Sequence, residues 1–339
     1  MSNESNTSSL YAPISSEEII NIMKDTFGAD CDVLHTSLLK GGLFNTTYLI
    51  ETTSPEGKWV LRLAPQETEH LYSFEKQMMA VEPHIYRLLE SEDIPSSRVI
   101  RYDESGSLIV RPYLIIEFID SIPLNDPSIL PEDYARLKEE LGRYTRQMHH
   151  LTSDRFGWPQ PDGTVRGYPT WSQMLLELST EVVDRCSVYH VFEEQILQEF
   201  AAVFHDNAEL FDEITVPSLV HNDLWDPNVL VRRGGDGELH IAALIDADRA
   251  VYADREYEFI VYENHPNFMQ GYGYELSMEP RPRARRTAYQ MMLSFLCAFV
   301  YEIQLAMPEN ATWCKKDALA QLQAFRELWS EATMEGRSE

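Results

Sequence analysis

A chain of 339 residues exceeds what one compact core of ordinary size holds, so two lobes or one large domain is the expected organisation. With 44% hydrophobic and 24% charged residues it has the material for a sizeable core, which sets it apart from disordered and fibrous chains. Its 55 acidic against 28 basic residues leave a net charge of -27, a field that repels nucleic acid and anionic membranes and disfavours both as partners.

Taken in chain order, residues 1–10 are Ser/Asn-rich, lack a basic region and an apolar run, and read as a flexible leader rather than a signal peptide. The first third then predicts strands with one helix. Strands are expected over residues 33–39, 44–51 and 58–63, with a glycine turn at Lys40-Gly41-Gly42 and a hairpin loop at Thr53-Ser54-Pro55-Glu56-Gly57. Helical spacing covers residues 74–89 despite Pro83, and strand character returns over 108–119. A lobe boundary is expected near residues 117–121, which gives an N-terminal lobe of residues 11–117 and a C-terminal lobe of 118–339. The later lobe reads as helices over 134–151, 171–208, 284–305 and 315–329, with a β island at 219–245 around Gly234-Gly235-Asp236-Gly237. The most apolar stretch, residues 291–301, falls short of the ~20 residues that span a bilayer. Cys31, Cys186, Cys297 and Cys314 have no metal-ligand spacing and fit reduced thiols in a cytoplasmic protein.

The β island carries the chemistry. His221-Asn222-Asp223-Leu224-Trp225-Asp226-Pro227-Asn228 fits the H-x-D-L-x-x-x-N spacing of a kinase catalytic loop. Phosphoryl transfer needs a carboxylate beside the attacking hydroxyl and an oxygen ligand for the metal that bridges phosphate oxygens. Asp223 is the candidate base and Asn228 the candidate Mg2+ ligand. A second acid is expected after a short hairpin, and Asp246 in Leu244-Ile245-Asp246-Ala247-Asp248 fills that position. Mg2+ prefers hard oxygen ligands, so an amide, a carboxylate and ATP phosphates make a sufficient set. His221 is assigned to holding the loop backbone, because Asp223 already takes the base role.

At these residues the sequence resembles the aminoglycoside phosphotransferase and choline kinase-like family, which has a protein-kinase-like fold. The family's usual pattern is His-Gly-Asp-Leu, four further residues ending in Asn, then an Ile-Asp pair and a Gly-Asp-Pro segment. Here Asn222 stands where Gly is usual, and Ala253-Asp254-Arg255 where Gly-Asp-Pro is expected. Asp254 keeps the acid that in this family braces the metal and catalytic segments, and Glu258 replaces a commoner Asp. The resemblance implies an α+β bilobal fold, with an N-terminal antiparallel sheet plus helix, a larger, mainly helical C-terminal lobe, and ATP between the lobes.

It further implies that Gly41-Gly42-Leu43-Phe44-Asn45-Thr46 is a phosphate-covering turn, with Asn45 and Thr46 as donors, although a plain β-turn fits those residues equally well. Arg62 corresponds to the phosphate-pairing cation, which can grip phosphate bidentately. Its partner is expected to be Glu82, with Glu75 seven residues earlier as the competitor on the same helical face. Residues 114–119 resemble the hinge, where main-chain groups of Glu117 and Ile119 would read adenine.

The family places its acceptor in a variable helical region. Asp226, Asp248, Glu258 and Glu263 are candidate contacts to a cationic acceptor, which the net charge of -27 would steer. Trp171, Trp225, Tyr257, Tyr262, Tyr272 and Tyr274 offer a different account, an aromatic cage for a quaternary ammonium. The expected function is ATP- and Mg2+-dependent phosphorylation of a small-molecule hydroxyl, with an aminoglycoside or related cationic antibiotic as the leading acceptor. A metabolic kinase for choline, ethanolamine, homoserine or a sugar is the alternative, and a nucleotide-binding module without transfer activity is the third.

Overall fold

The computed structural model describes residues 10–39, 42–260 and 265–335. Helix α1 (Ser16–Phe27) starts at a reciprocal cap, in which the Glu18 amide donates to Ser15 Oγ at 3.2 Å and the Ser15 amide donates to Glu18 Oε2 at 2.7 Å. Its Ile19, Ile22 and Met23 share one face and are buried in the core of the first sheet. That sheet contains β1 (Val33–Leu38), β2 (Thr46–Thr53) and β3 (Glu56–Leu63), followed after α2 (Met78–Ser91) by β4 (Val99–Asp103) and β5 (Tyr113–Glu117). All its pairings are antiparallel, in the order β1-β2-β3-β5-β4.

Side chains alternate across a strand, and Leu61 and Leu63 of β3 enter the core shared with α1. Arg62 between them therefore points to the opposite face, where it meets α2. The same alternation in β2 buries Thr46 beside Tyr48 and Ile50.

The remaining elements are β6 (Ile122–Pro123), α3 (Pro131–Met148), β7 (Phe156–Pro159), β8 (Val165–Tyr168), α4 (Trp171–Val188), α5 (Glu194–Asp206), α6 (Ala208–Phe211), β9 (Ser218–Val220), β10 (Val229–Arg233), β11 (Leu239–Leu244), β12 (Val251–Ala253), α7 (Pro266–Tyr272), α8 (Pro280–Phe299) and α9 (Pro308–Glu335). Strands β11-β10-β6 form one small sheet and β8-β7-β12-β9 another. The single helix expected over 171–208 is broken into α4 and α5. The chain leaves α4 through His190 at φ 55°, with the Val191 amide returning to the Cys186 carbonyl at 2.9 Å. This is the hydrogen-bonded left-handed stop that commonly ends helices, and burial of Val191 fixes it. Helices α3 and α7 approach until their backbones touch, since a Cβ on Gly142 would lie 2.1 Å from the Phe268 carbonyl oxygen.

The chain forms two compact units. One gathers the residues up to Pro123 with Gln160–Asp162 and Pro227–Asp248; the other holds Leu124–Pro159, Gly163–Asp226 and the residues from Arg249 onward. The expected contiguous division at residues 117 and 118 therefore differs from the observed one, because the β10–β11 hairpin groups with the N-terminal sheet. It does so through pairing of β10 with β6 and through the Leu244 amide, which donates to the Pro95 carbonyl at 2.8 Å. Among the described residues no helix is long and apolar enough to cross a membrane.

Candidate active site

In the first unit, Arg62 is the centre of a buried charge cluster. Its Nη1 donates to Glu82 Oε1, and its Nη2 donates to Asp246 Oδ1 and, at 3.4 Å, to Asp248 Oδ2. Of the two glutamates that sequence left open, Glu82 makes the contact, while Glu75 turns back to accept from the Tyr72 amide at 2.9 Å. Burial works against the guanidinium charge, but Asp246, Glu82 and Asp248 together hold it well above its ordinary value. Burial also pushes the Glu82 carboxyl up, with Arg62 opposing. Tyr86, one turn along α2, ties the cluster to the backbone: its hydroxyl donates to Glu82 Oε1 at 2.6 Å and accepts from the Asp246 amide at 3.1 Å. Tyr86 is not among the residues expected at the site, although its i+4 spacing from Glu82 on one helix is a signal for it.

The hairpin supplies the candidate metal ligands. Val229 pairs with Leu244, and the Ile245 amide donates to the Asn228 carbonyl at 2.9 Å, so this register sets Asn228 opposite Ile245, one residue before Asp246. Eighteen residues of chain separation are closed by a two-stranded turn. Asp246 has left-handed backbone, φ 61°, and its side chain keeps 39% of its surface exposed. An amide oxygen and a carboxylate oxygen are the hard donors that Mg2+ accepts, so the residues present fit this ion.

The turn expected to cover phosphate is described from Gly42 onward; Lys40 and Gly41 lie outside the described residues. Asn45 is half-buried, whereas Thr46 is fully buried and its Oγ1 accepts from the Ala12 amide at 3.0 Å. The strand pleat thus turns Thr46 inward and gives the opposite face to Thr47, whose Oγ1 lies near Gly42. At the end of β5 the Glu117 amide donates to the Arg98 carbonyl at 2.9 Å and the Phe118 amide to the Lys58 carbonyl at 3.1 Å. These bonds put any adenine-reading role on the alternate main-chain groups, the Glu117 carbonyl and the Ile119 amide.

In the second unit, the loop after β9 is held by one carboxylate. Glu258, in the 3₁₀ stretch Arg255–Ile260, accepts from the His221 amide at 2.5 Å and the Asn222 amide at 3.1 Å. Asn222 sits at φ 62°, a conformation Asn tolerates better than most residues, and its Nδ2 donates to the Arg249 carbonyl at 3.3 Å. Asp223 follows, half-buried, with Leu224 buried beneath the loop and Trp225 48% exposed. The Asp223 charge reaches Tyr301, whose phenol is raised by burial first and then by Cys297, Cys314 and Asp223. Tyr301 stands in the π-helical turn Val300–Gln304 that continues α8, a feature its sequence does not announce.

The loop's brace is therefore Glu258 rather than Asp254. Asp254 instead accepts from the Glu256 amide at 3.0 Å and from the Tyr289 hydroxyl at 2.8 Å, with Trp171 Nε1 donating to Tyr289 at 2.9 Å. Burial raises the Asp254 carboxyl. Behind Glu258 stands His149, with Nε2 3.6 Å from Glu258 Oε2 and Nδ1 2.8 Å from the Tyr272 hydroxyl. His221 is fully buried in the same loop.

The acids considered for an acceptor are engaged inside the protein. Asp226 accepts from Lys138 Nζ and, at 2.7 Å, from the Tyr134 hydroxyl; Asp248 meets Arg62, and Glu258 holds the loop. For Asp248 and Glu258 the physical reason is burial, since a carboxylate withdrawn from water is retained where cations or amides satisfy it, whereas the half-buried Asp226 is held by the buried Lys138; sequence alone shows neither. Glu263 and Tyr262 lie outside the described residues. Of the considered aromatics, Trp171, Tyr257 and Tyr272 are buried packing residues, and the Arg255 guanidinium lies 4.2 Å from the Tyr274 ring centroid. Trp225 is the exposed one among these described aromatics.

Residues 35–284 match the model of a family described as the phosphotransferase enzyme family. No curated protein matches the chain in sequence. Among solved structures, the chain is similar to a candidate aminoglycoside phosphotransferase from Ralstonia eutropha JMP134, with 16% identity, TM-score 0.64, and coverage of 94% of this chain and 99% of that one. It is also similar to a candidate fructosamine-3-kinase from Haemophilus somnus 129PT, with 16% identity, TM-score 0.61, and coverage of 89% and 97%. A third similar structure is the ADP-bound aminoglycoside phosphotransferase APH(2″)-Ib, with 14% identity, TM-score 0.58, and coverage of 93% and 99%. At these identities the likeness is one of fold, the protein-kinase-like α+β architecture.

Proposed function

Because the chain belongs to the phosphotransferase enzyme family, whose chemistry is transfer of a phosphoryl group to a small-molecule hydroxyl, we propose that it uses ATP with Mg2+ and that Asp223 is its base. The observation that carries this reading is the hairpin register that brings Asn228 beside Asp246, in a chain where Asp223 precedes Asn228 by five residues. Arg62, held by Glu82, supplies a fixed cation for the nucleotide phosphates. Asp223, on a loop whose amides are clamped by Glu258, accepts the hydrogen bond of the acceptor hydroxyl and aims its oxygen at the γ-phosphorus. As oxygen attacks, the proton passes to the Asp223 carboxylate and ADP leaves. Bound Mg2+ would neutralise charge on the phosphate oxygens, with Asn228 and Asp246 as its protein ligands. The reaction is placed in the cytoplasm, where the four free cysteines stay thiols.

An aminoglycoside or related cationic antibiotic is the leading acceptor, supported by the family, by the aminoglycoside phosphotransferases among the similar structures, and by the net charge of -27. A second reading, a metabolic kinase for a less cationic hydroxylated molecule such as a sugar, is favoured by one observation: Asp226, Asp248 and Glu258 are engaged internally. ADP release from MgATP, measured across aminoglycosides, choline, ethanolamine, homoserine and sugars with Asp223→Ala as control, decides between them. Stimulation lost in the variant supports phosphotransfer and names the acceptor class; full turnover in Asp223→Ala refutes the assigned base.

A further inference from the structure

Helix α3 turns one face inward, and Leu137, Leu141, Gly142 and Thr145 lie on it. Lys138 lies on the same face, 1% exposed, where helical periodicity calls for an apolar side chain. A lysine is almost never buried without a partner. Here the partner is Asp226, which receives Lys138 Nζ on Oδ1 and the Tyr134 hydroxyl on Oδ2 at 2.7 Å. Tyr134 is one helical turn before Lys138, and its ring centroid lies 5.2 Å from Nζ, so the two side chains form one cationic and hydrogen-bonding fork. An isosteric apolar residue would fill this place at a lower desolvation cost, so the ion pair is not there for stability alone.

The position of Asp226 in the chain gives the pair its meaning. Asp226 comes three residues after Asp223 and opens the 3₁₀ turn Asp226–Asn228. That turn is a single one, and where its first residue is anchored sets the direction of its last. We propose that Lys138, together with Tyr134, is a positioning residue of the catalytic loop: by gripping both carboxylate oxygens of Asp226 it fixes the turn that presents Asn228. The glutamate that clamps the His221 and Asn222 amides fixes the start of the loop, and the Lys138–Tyr134 fork fixes its end. This rests on the reading of Asn228 as a metal ligand.

The test measures Mn2+ binding in the presence of a non-hydrolysable ATP analogue, by the paramagnetic resonance of free Mn2+, for the full chain and for Lys138→Met, Tyr134→Phe and Asn228→Ala. Affinity for metal-free ATP in chelator and the melting temperature are recorded alongside. Lys138→Met is expected to weaken Mn2+ binding about 10-fold to 100-fold, the range for partners that orient metal ligands, while metal-free ATP binds as before. Tyr134→Phe, which keeps the ion pair, is expected to show a smaller loss of the same kind and serves as the test if Lys138→Met does not fold. If Asn228→Ala weakens Mn2+ binding and neither fork variant does, the positioning role is overturned. An equal loss of metal-free ATP affinity in the fork variants also overturns it, because the pair would then be supporting the fold in general. If Asn228→Ala leaves Mn2+ binding unchanged, the metal-ligand reading itself fails and the proposal with it.

Discussion

Replacing Glu258 by Ala tests how the loop after β9 is held. The carboxylate accepts from two adjacent amides, at 2.5 Å from His221 and 3.1 Å from Asn222. Hydrogen bonds to a charged acceptor contribute about 1.5–3 kcal/mol each, and neighbouring bonds do not add fully, so the pair is worth about 3 kcal/mol to the closed loop. The loop also carries Asn222 in left-handed backbone, which favours release once the clamp is gone. A loss of about 3 kcal/mol raises the open population by about a hundredfold. Hydrogen exchange reads this directly at the His221 and Asn222 amides, whose protection should fall by that factor in Glu258→Ala and by about tenfold in Glu258→Gln, which keeps one acceptor oxygen. Exchange of β10 and β11 amides serves as the internal reference. Unchanged protection at residues 221 and 222 would show that another group holds the loop and would refute the reasoning.

Asn222→Gly should keep kcat/KM within about threefold of the wild type, because glycine adopts φ 62° freely and only the bond to the Arg249 carbonyl is lost, whereas Asn222→Val should cost about 1–2 kcal/mol in urea unfolding. Arg62→Met leaves Glu82 and Asp248 buried without their cation, so stability should fall by about 3–5 kcal/mol by the same assay, and nucleotide binding should be lost with it. The buried His149 is pulled below its ordinary 6.5 chiefly by desolvation, so the folded state stays neutral where the unfolded chain takes a proton. Its contribution is therefore present above pH 6.5 and lost as pH falls from there through the folded-state value; melting temperature should drop in that window, and less steeply in His149→Gln.

Strand alternation made much of the first unit legible. Once β3 is read as a pleated strand with Leu61 and Leu63 inward, Arg62 is forced to the other face, and the i+4 ladder of α2 brings Glu82 and Tyr86 to it. The approach of Asn228 to the Ile245-Asp246 end of β11 was equally legible, because the hairpin register determines which residues lie opposite each other. The capping pair Ser15 and Glu18 that starts α1 is legible in the sequence as a Ser-x-x-Glu spacing, whereas the break at His190 is hidden because nothing but tertiary burial of Val191 demands it. The roles of the acids were the least legible. Whether a carboxylate faces solvent, a lysine from another helix or two loop amides depends on contacts between distant residues; Asp226 with Lys138, and Glu258 with His221, lie 88 and 37 positions apart. The exchange of roles between Asp254 and Glu258 has the same origin: both are buried acids four residues apart, and only the path of the 3₁₀ stretch decides which one reaches the loop.

The cluster around Arg62 also orders events during synthesis. Asp246 and Asp248 follow Arg62 by 184 and 186 positions, whereas Glu82 follows by 20. At ribosomal rates of about 5–20 residues per second, the two later carboxylates are made about 10–40 s after the strand whose cation they neutralise. During that interval Glu82 is the member of the trio already present, and the β10–β11 hairpin that completes the N-terminal unit has not yet been made. A nascent chain therefore carries its N-terminal sheet in an unfinished form while α3 to α6 of the other unit are translated, and the cluster can close only when the Ile245-Asp246 pair emerges.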